Sequence, residues 1–354
     1  MTKFTQVLGQ IRPVDTSLAP AVQAHLDNLT KPRGSLGRLE EIARRYCLAR
    51  GSAQPEMGKK VIYTFAADHG VAAEGVSAFP PEVTVQMVKN MLAEGAAVNV
   101  LARQATAEVR VVDIGVNAPL DDVTGLLRHK IAPGTENIAR GPAMTGAQCR
   151  QALEVGMQLA VQAADEGATL LGTGEMGIGN TTPSAALLAA LLPCEVEAVT
   201  GLGTGITPER LAHKQTVVRR ALQANEQDLG DPIGALSAVG GFEIAGICGL
   251  ILGATAHRVP TVVDGFISTA AALTAWRLCP DVKDYLFYSH LSAEAGHREF
   301  FEQMGVRPLL DLEMRLGEGT GAALAMFVIE AALKTYHEMA TFDTAGVDRE
   351  DSSS

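Results

Sequence analysis

Between residues 170 and 184 the chain reads Leu170-Leu-Gly-Thr-Gly-Glu-Met-Gly-Ile-Gly-Asn-Thr-Thr-Pro-Ser184: an apolar pair, then four glycines and one carboxylate, with three small hydrogen-bonding side chains in a row at Asn180-Thr-Thr182. Pro183 opens a long Ala/Leu segment, and proline favours the first helical position, so the pattern predicts strand, loop and helix start with Thr182 as N-cap. Glycines let backbone N–H groups approach a ligand, and a helix N-terminus adds a positive dipole end, so such a loop suits an anion, phosphate above all. The same letters contain Gly172-x-Gly174-x-x-Gly177, a dinucleotide-binding fingerprint. It fits poorly, because five residues separate Gly177 from Pro183 and Glu175 would face a pyrophosphate. A loop with glycines only for turning is the plainer alternative.

Outward from this stretch, short β-rich runs alternate with helical ones. Val61–Ala66, Val109–Asp113, Thr169–Leu171, Ala198–Thr200, Pro260–Val263 and Tyr285–Tyr288 are six candidate strands, mostly apolar throughout and so buried on both faces. The expected fold class is α/β, a doubly wound, mostly parallel six-stranded sheet. Each strand is followed by a polar or glycine-rich tip: Asp68-His69-Gly70, Ile114-Gly115, the loop above, Gly201-Leu-Gly-Thr-Gly205, Asp264-Gly265 and Ser289-His290. Parallel sheets bind ligands beyond the carboxyl ends of their strands, so these tips should converge on one crevice. Thr207-Pro208 repeats the cap-and-proline pattern, and Lys214, about two turns into that helix, either supplies a cation to the bound phosphate or is a surface lysine.

The chain has 354 residues, 47% of them hydrophobic, enough for a sizeable core. A net charge of −11 without a Lys/Arg-rich face argues against nucleic acid. Met1-Thr-Lys-Phe-Thr-Gln6 lacks the order of a signal peptide, and Ile244–Ala256 is too short to span a bilayer, so that segment reads as a buried helix and the protein as cytoplasmic. Five scattered cysteines read as reduced core thiols. Abundant Gly and Ala suggest closely packed helices against the sheet. Residues 1 to 50 read as helical, with Ser17–Leu29 and Ser35–Ala49 as segments and Ser35 as N-cap.

Glu318 stands among glycines in Met314-Arg-Leu-Gly-Glu-Gly-Thr-Gly-Ala-Ala-Leu-Ala-Met326, at the start of a helix running to about Met339. A poorly hydrated carboxylate there has a raised pKa and suits proton abstraction; a helix-start acid complementing the dipole is the alternative. The Val76–Met91 stretch breaks at two prolines and then sets Val83, Met87, Val88 and Met91 on one side, a grip for a flat ring or plain core. Asp68, His69 and His290 match no local metal-ligand spacing, so no metal and no cofactor is expected.

With these residues in view, the sequence resembles the nicotinate-nucleotide:dimethylbenzimidazole phosphoribosyltransferases of cobamide biosynthesis. The likeness is carried by Lys31-Pro-x-Gly-Ser-Leu-Gly-x-Leu-Glu40, Ala67-Asp-His-Gly70, Gly174-Glu-Met-Gly-Ile-Gly-Asn-Thr-Thr-Pro183, Val239-Gly-Gly-Phe242, Asp264-Gly-Phe266, Ser289-His-x-Ser-Ala-Glu294 and Met314–Met326. It implies phosphoribosyl transfer from nicotinate mononucleotide to a benzimidazole, giving α-ribazole 5′-phosphate and nicotinate. It also implies a homodimer with a large Rossmann-like domain (52–290), a small helical domain from both chain ends (1–51 and 291–340) and a disordered tail (341–354). By resemblance Glu318 is the catalytic base, with Glu175 beside the azole. Gly177, Gly179, Asn180, Thr181, Thr182, Gly203, Gly205, Lys214, Gly265 and Ser292 hold the nucleotide and its phosphate, and Phe79, Met87, Met176 and Leu316 line the base pocket. A nicotinamide-dependent oxidoreductase and a non-catalytic nucleotide or base carrier are the competing readings.

Overall fold

Apolar runs that are buried on both faces must be covered by helices on both sides, and the computed structural model, which describes residues 3–203 and 205–348, has that arrangement. The first third holds α1 (Lys3–Leu8), α2 (Ala19–Asn28), α3 (Arg38–Arg50), β1 (Lys59–Ala67), α4 (Val83–Leu92), α5 (Ala97–Gln104) and β2 (Glu108–Gly115). The middle holds β3 (Leu127–Arg128), α6 (Gly146–Asp165), β4 (Ala168–Met176), α7 (Thr181–Leu191), α8 (Val196–Val199), α9 (Pro208–Ala224), α10 (Pro232–Val239) and α11 (Phe242–Ala256). The last third holds β5 (Thr261–Val263), α12 (Phe266–Leu278), β6 (Leu286–Tyr288), β7 (His290–Leu291), α13 (Ala295–Met304), β8 (Leu310–Asp311), α14 (Thr320–Glu338) and α15 (Phe342–Ala345).

The main sheet has six strands in the order β3-β2-β1-β4-β5-β6, all parallel. Two wings therefore grow outward from β1 and β4, and the strand order reverses between them. Alternate side chains of β1 serve the two faces: Val61, Tyr63 and Phe65 join the core with α6 and α11, while Ile62 and Ala66 join the core with α3, α5 and α14. The small residues have the predicted use. A Cβ at Gly156 would strike Gly246 O, and one at Gly249 would strike Leu153 O, so α6 and α11 cross backbone to backbone. The predicted buried helix is α11, whose residues from Phe242 to Thr255 are all buried.

Helices from the two chain ends meet: Thr30 N donates to Ala340 O at 3.0 Å, and the His25 ring bonds Tyr336 O at 2.7 Å. Their apolar sides close over the same sheet face as α5, in one shared core. Within the expected tail, Phe342–Ala345 forms a helical turn capped by Thr341, and 349–354 lie outside the described residues.

Several local expectations are corrected. Ala198–Thr200 is not a strand: Val196–Val199 is a helical turn closed by Thr200 Oγ1 on Val196 O at 2.7 Å, and the sixth strand is the two-residue β3. Helix α7 begins two residues early, with Asn180 in place of Thr182 as N-cap, because Thr182 N already bonds Gly179 O at 3.0 Å. Helix α3 begins after Gly37, not Ser35, with the Glu40 carboxylate accepting Leu36 N at 3.0 Å. Strand β4 runs on through Met176, so Gly172 and Gly174 lie in the sheet. A Cβ at Gly172 would crowd Met326 and Ala322, and one at Gly174 would strike Glu318 O. These two glycines admit α14 and the turn before it.

Candidate active site

A ligand on an open parallel sheet sits where the strand order reverses, beyond the strands' carboxyl ends. A cleft of about 370 Å³ lies there, walled by the end of β4, the starts of α4, α7 and α12, and the segments 290–294 and 315–318. Three carboxyls line it, Glu175, Glu294 and Glu318, and the first and last lie beside its apolar side. Glu175, the penultimate residue of β4, is 6% exposed and its Oε2 accepts from the Asn180 amide. Burial, reinforced by the charges of Asp264, Glu243 and Glu318, pushes its pKa up to about 8 against that hydrogen bond. A Cβ at Gly317 would collide with Glu175 Oε1, so the turn bearing Glu318 can pass only as glycine.

Glu318 itself has φ 66° between Gly317 (φ 86°) and Gly319 (φ 104°), three successive left-handed residues. A non-glycine residue there is held by its surroundings. Thr64 Oγ1 donates to Glu318 O at 2.8 Å. Asp264, directly after β5 and 1% exposed, accepts Gly319 N at 3.0 Å on Oδ2 and Ala322 N at 2.9 Å on Oδ1. It thereby satisfies the first N–H groups of α14, a placement a helix N-terminus favours for an anion, while burial pushes its own pKa up to about 7. Glu318 Oε2 accepts Val98 N at 3.4 Å, at the start of α5. Its pKa is raised by burial and lowered by that N–H, with burial the larger effect.

Elsewhere the cleft suits an anion. Asn180 and Thr181 bring the start of α7 to it, and Gly265 and Phe266 bring the start of α12, so two helix N-termini converge. Gly203, Ser292 and Arg315 line the same region, with Arg315 Nη1 on Gly203 O at 3.2 Å. Ser292 is fixed by its N–H on His297 Nδ1 at 2.9 Å; His297 is neutral, its pKa driven down to about 3 by burial. Lys214 is fully buried behind this wall, Nζ on Thr181 Oγ1 at 2.7 Å and Gly201 O at 3.1 Å, with its pKa lowered to about 8 by burial. It pins the two glycine-rich segments together and is no surface lysine. Phe79 and Leu316, 53% and 58% exposed, stand at the mouth, and Val83, Met87 and Met176 continue this apolar side inward.

Of the residues singled out from sequence, Glu175, Glu318, Gly177, Asn180, Thr181, Gly203, Gly265, Ser292, Phe79, Met87, Met176 and Leu316 line this one cleft. Gly179, Thr182, Gly205 and Lys214 are not among its lining residues. Gly179 (φ 92°) turns against Ala72, and Thr182 is buried within α7. Asp68 and His69 line a different cleft from His290. The sequence reading passed over Arg315, Glu294 and His290 as site residues, although all three stand inside motifs it had quoted. His290 Nδ1 bonds Ser289 Oγ at 2.9 Å, and since that hydroxyl donates to Asp264 O at 2.7 Å, the ring carries its proton on Nδ1. The fingerprint's first two glycines lie inside β4, which removes the basis for a dinucleotide loop.

A family model described as phosphoribosyltransferase matches residues 11–347. The chain is 58% identical over 345 residues to the nicotinate-nucleotide–dimethylbenzimidazole phosphoribosyltransferase of Chlorobaculum parvum, covering 98% of each. The chain belongs to this family. It is also 58% identical to the Geobacter sulfurreducens member over 347 residues, 98% of this chain and 99% of that one. The solved structure of the Thermus thermophilus phosphoribosyltransferase superposes with a TM-score of 0.89 at 48% identity, covering 95% of this chain and 99% of that one. Membership in the phosphoribosyltransferase family makes the chain a pentosyltransferase of cobalamin synthesis.

Proposed function

We propose that the protein transfers the phosphoribosyl group of nicotinate mononucleotide to a benzimidazole-type base, giving α-ribazole 5′-phosphate and nicotinate. The observation that carries this reading is that one cleft holds both a poorly hydrated carboxylate, Glu318, and an anion site built from two helix N-termini with Arg315 and Ser292. The nucleotide phosphate occupies the anion site. The flat acceptor lies among Phe79, Val83, Met87, Met176 and Leu316.

Nicotinate leaves C1′ as its positively charged pyridinium ring becomes a neutral pyridine, so its departure needs no general acid. The acceptor must lose its N–H proton as its other nitrogen bonds to C1′. Glu318 takes that proton, a contribution typically of about 10²–10⁴-fold. Fixing the phosphate so that C1′ meets the azole contributes more, up to roughly 7–11 kcal/mol for well-oriented reactants. Glu175, neutral at pH 7 with its pKa near 8, keeps a second negative charge out of the cleft and offers a hydrogen-bond donor beside the base. Lys214 acts through Thr181, holding the 177–182 turn against the 201–205 segment.

The protein acts as a cytoplasmic homodimer in this reading. Exposed Val100 and Phe327, on the contacting helices α5 and α14, support an interface, and five free cysteines suit a reducing compartment. No helix among the described residues is long and apolar enough to cross a membrane.

The test is incubation of the purified protein with nicotinate mononucleotide and a panel of benzimidazoles, purines and phenols, with products identified by mass spectrometry. A ribosylated phosphate product together with released nicotinate is expected with at least one benzimidazole. Nucleotide binding without product from any base would leave the carrier reading standing in its place.

A further inference from the structure

A second cleft, of about 560 Å³, opens on the other side of α4, beyond the carboxyl ends of β1 and β2. The two clefts share that helix as a wall: Val83 and Met87 face the first, Val85 and Gln86 the second. The second cleft therefore belongs to the β1–β2 wing of the sheet, where the chemistry of the first has no role.

Its most unusual feature is Asp68. This residue is 9% exposed and lines the cleft. One carboxylate oxygen, Oδ2, accepts Asn117 N at 2.7 Å, whereas Oδ1 has no hydrogen-bond partner. Neighbouring His69 gives it no hydrogen bond: its Nε2 is engaged by Glu243 Oε1 at 2.7 Å, and its Nδ1 has no partner. A buried carboxylate oxygen left open is costly unless something donates to it. No lysine or arginine is among the lining residues, and Glu82 adds a second carboxylate. Ala72, Pro81, Val85, Ala118 and Pro133 supply apolar wall.

We propose that this cleft is a second small-molecule site, for a flat organic cation carrying N–H donors, bound by an N–H on Asp68 Oδ1 with its ring against the Pro81–Val85 and Ala118–Pro133 walls. A phosphate or carboxylate is the wrong occupant, because it would meet Asp68 and Glu82, and the lining histidine, His69, is already paired with Glu243. The shared α4 wall makes the site a neighbour of the acceptor pocket, so an occupant here presses on the segment that carries Val83 and Met87.

Benzamidinium is a suitable probe, and calorimetric titration with crystal soaking is the test. Wild-type protein should bind it with density beside Asp68. Asp68→Asn, which keeps an oxygen for Asn117 N–H, should weaken that binding by about tenfold or more, the scale of a lost charge-assisted hydrogen bond. Val85→Phe, which fills the cleft and leaves Asp68 untouched, should abolish it independently. Because acids also line the first cleft, Glu318→Gln is the control and should leave the Asp68-dependent binding in place. Density only beside Glu175 and Glu318, binding indifferent to both Asp68→Asn and Val85→Phe, or no binding at millimolar probe would each overturn the proposal.

Discussion

Two carboxyls of the same residue type enter one cleft from two kinds of backbone, and burial raises the pKa of both while different neighbours act on each. Glu175 comes from a sheet strand, where burial and three acidic neighbours hold its proton to about pH 8. Glu318 comes from a left-handed turn, with a backbone N–H at a helix start drawing on its carboxylate. The strand cannot move without breaking the sheet, whereas the turn depends on what is hydrogen-bonded behind it. The comparison teaches that the division between acid and base here is set by backbone origin and burial.

The largest expected effect separates the pair directly. Glu318→Gln keeps an oxygen for Val98 N–H and removes the base, so kcat should fall about 10²–10⁴-fold with the KM for nucleotide little changed. Glu175→Gln should cost much less. Quenched assays read by mass spectrometry decide this, and the comparison breaks if Glu175→Gln is the more damaging of the two.

A smaller effect probes what holds the turn. Asp264→Asn places an amide NH₂ against the Gly319 or Ala322 N–H, at a cost of about 1–3 kcal/mol for an unsatisfied buried group. If that loss falls on the geometry of Glu318, kcat drops roughly ten- to hundredfold. The acid limb of the pH–rate profile should shift as well, since a displaced Glu318 carboxyl exchanges its surroundings, while nucleotide KM holds. Loss of melting temperature with an unchanged kcat and pH profile would show that Asp264 merely caps α14.

Much of this was legible in sequence, in a way that follows from range. Strands β1, β2, β5 and β6 show as apolar runs because burial on both faces leaves a local mark. Strand β3 does not, since two residues ending in Arg128 carry no pattern, and Ala198–Thr200 misled because its β-branched Val199 and Thr200 fit a helical turn once Thr200 bonds Val196. Gly172 and Gly174 looked like a ligand loop, yet the element that needs their missing side chains lies about 150 residues away, at Ala322 and Glu318. Lys214 stayed open between a phosphate cation and a surface lysine for the same reason, because its partners, Thr181 and Gly201, come from other elements. Glu318 was readable because its glycine flanks are local to it. Asp264, which caps the helix after that turn, could be noticed only as the tip of a strand.

The last effect concerns stability and sharpens the comparison furthest. A carboxyl whose pKa rises from 4.5 to about 8 on folding binds a proton in the folded state that the unfolded chain has released. Its contribution to stability is therefore fully present below pH 4.5 and is lost as pH rises through 8. Asp264, raised to about 7, acts in the same sense, and Lys214, lowered to about 8, acts oppositely above that pH. Lys214 is common to wild type and Glu175→Gln, so the difference between the two melting curves carries residue 175 together with its coupling to Asp264. Glutamine keeps the hydrogen bond from Asn180 and never ionises. Across about pH 5 to 9 the wild type should lose melting temperature relative to Glu175→Gln, at about 1.4 kcal/mol per pH unit where the two states differ by one proton. Parallel curves would mean that Glu175 is already ionised when folded. Two full negative charges would then share the cleft, and the strand would no longer be the side that keeps its proton.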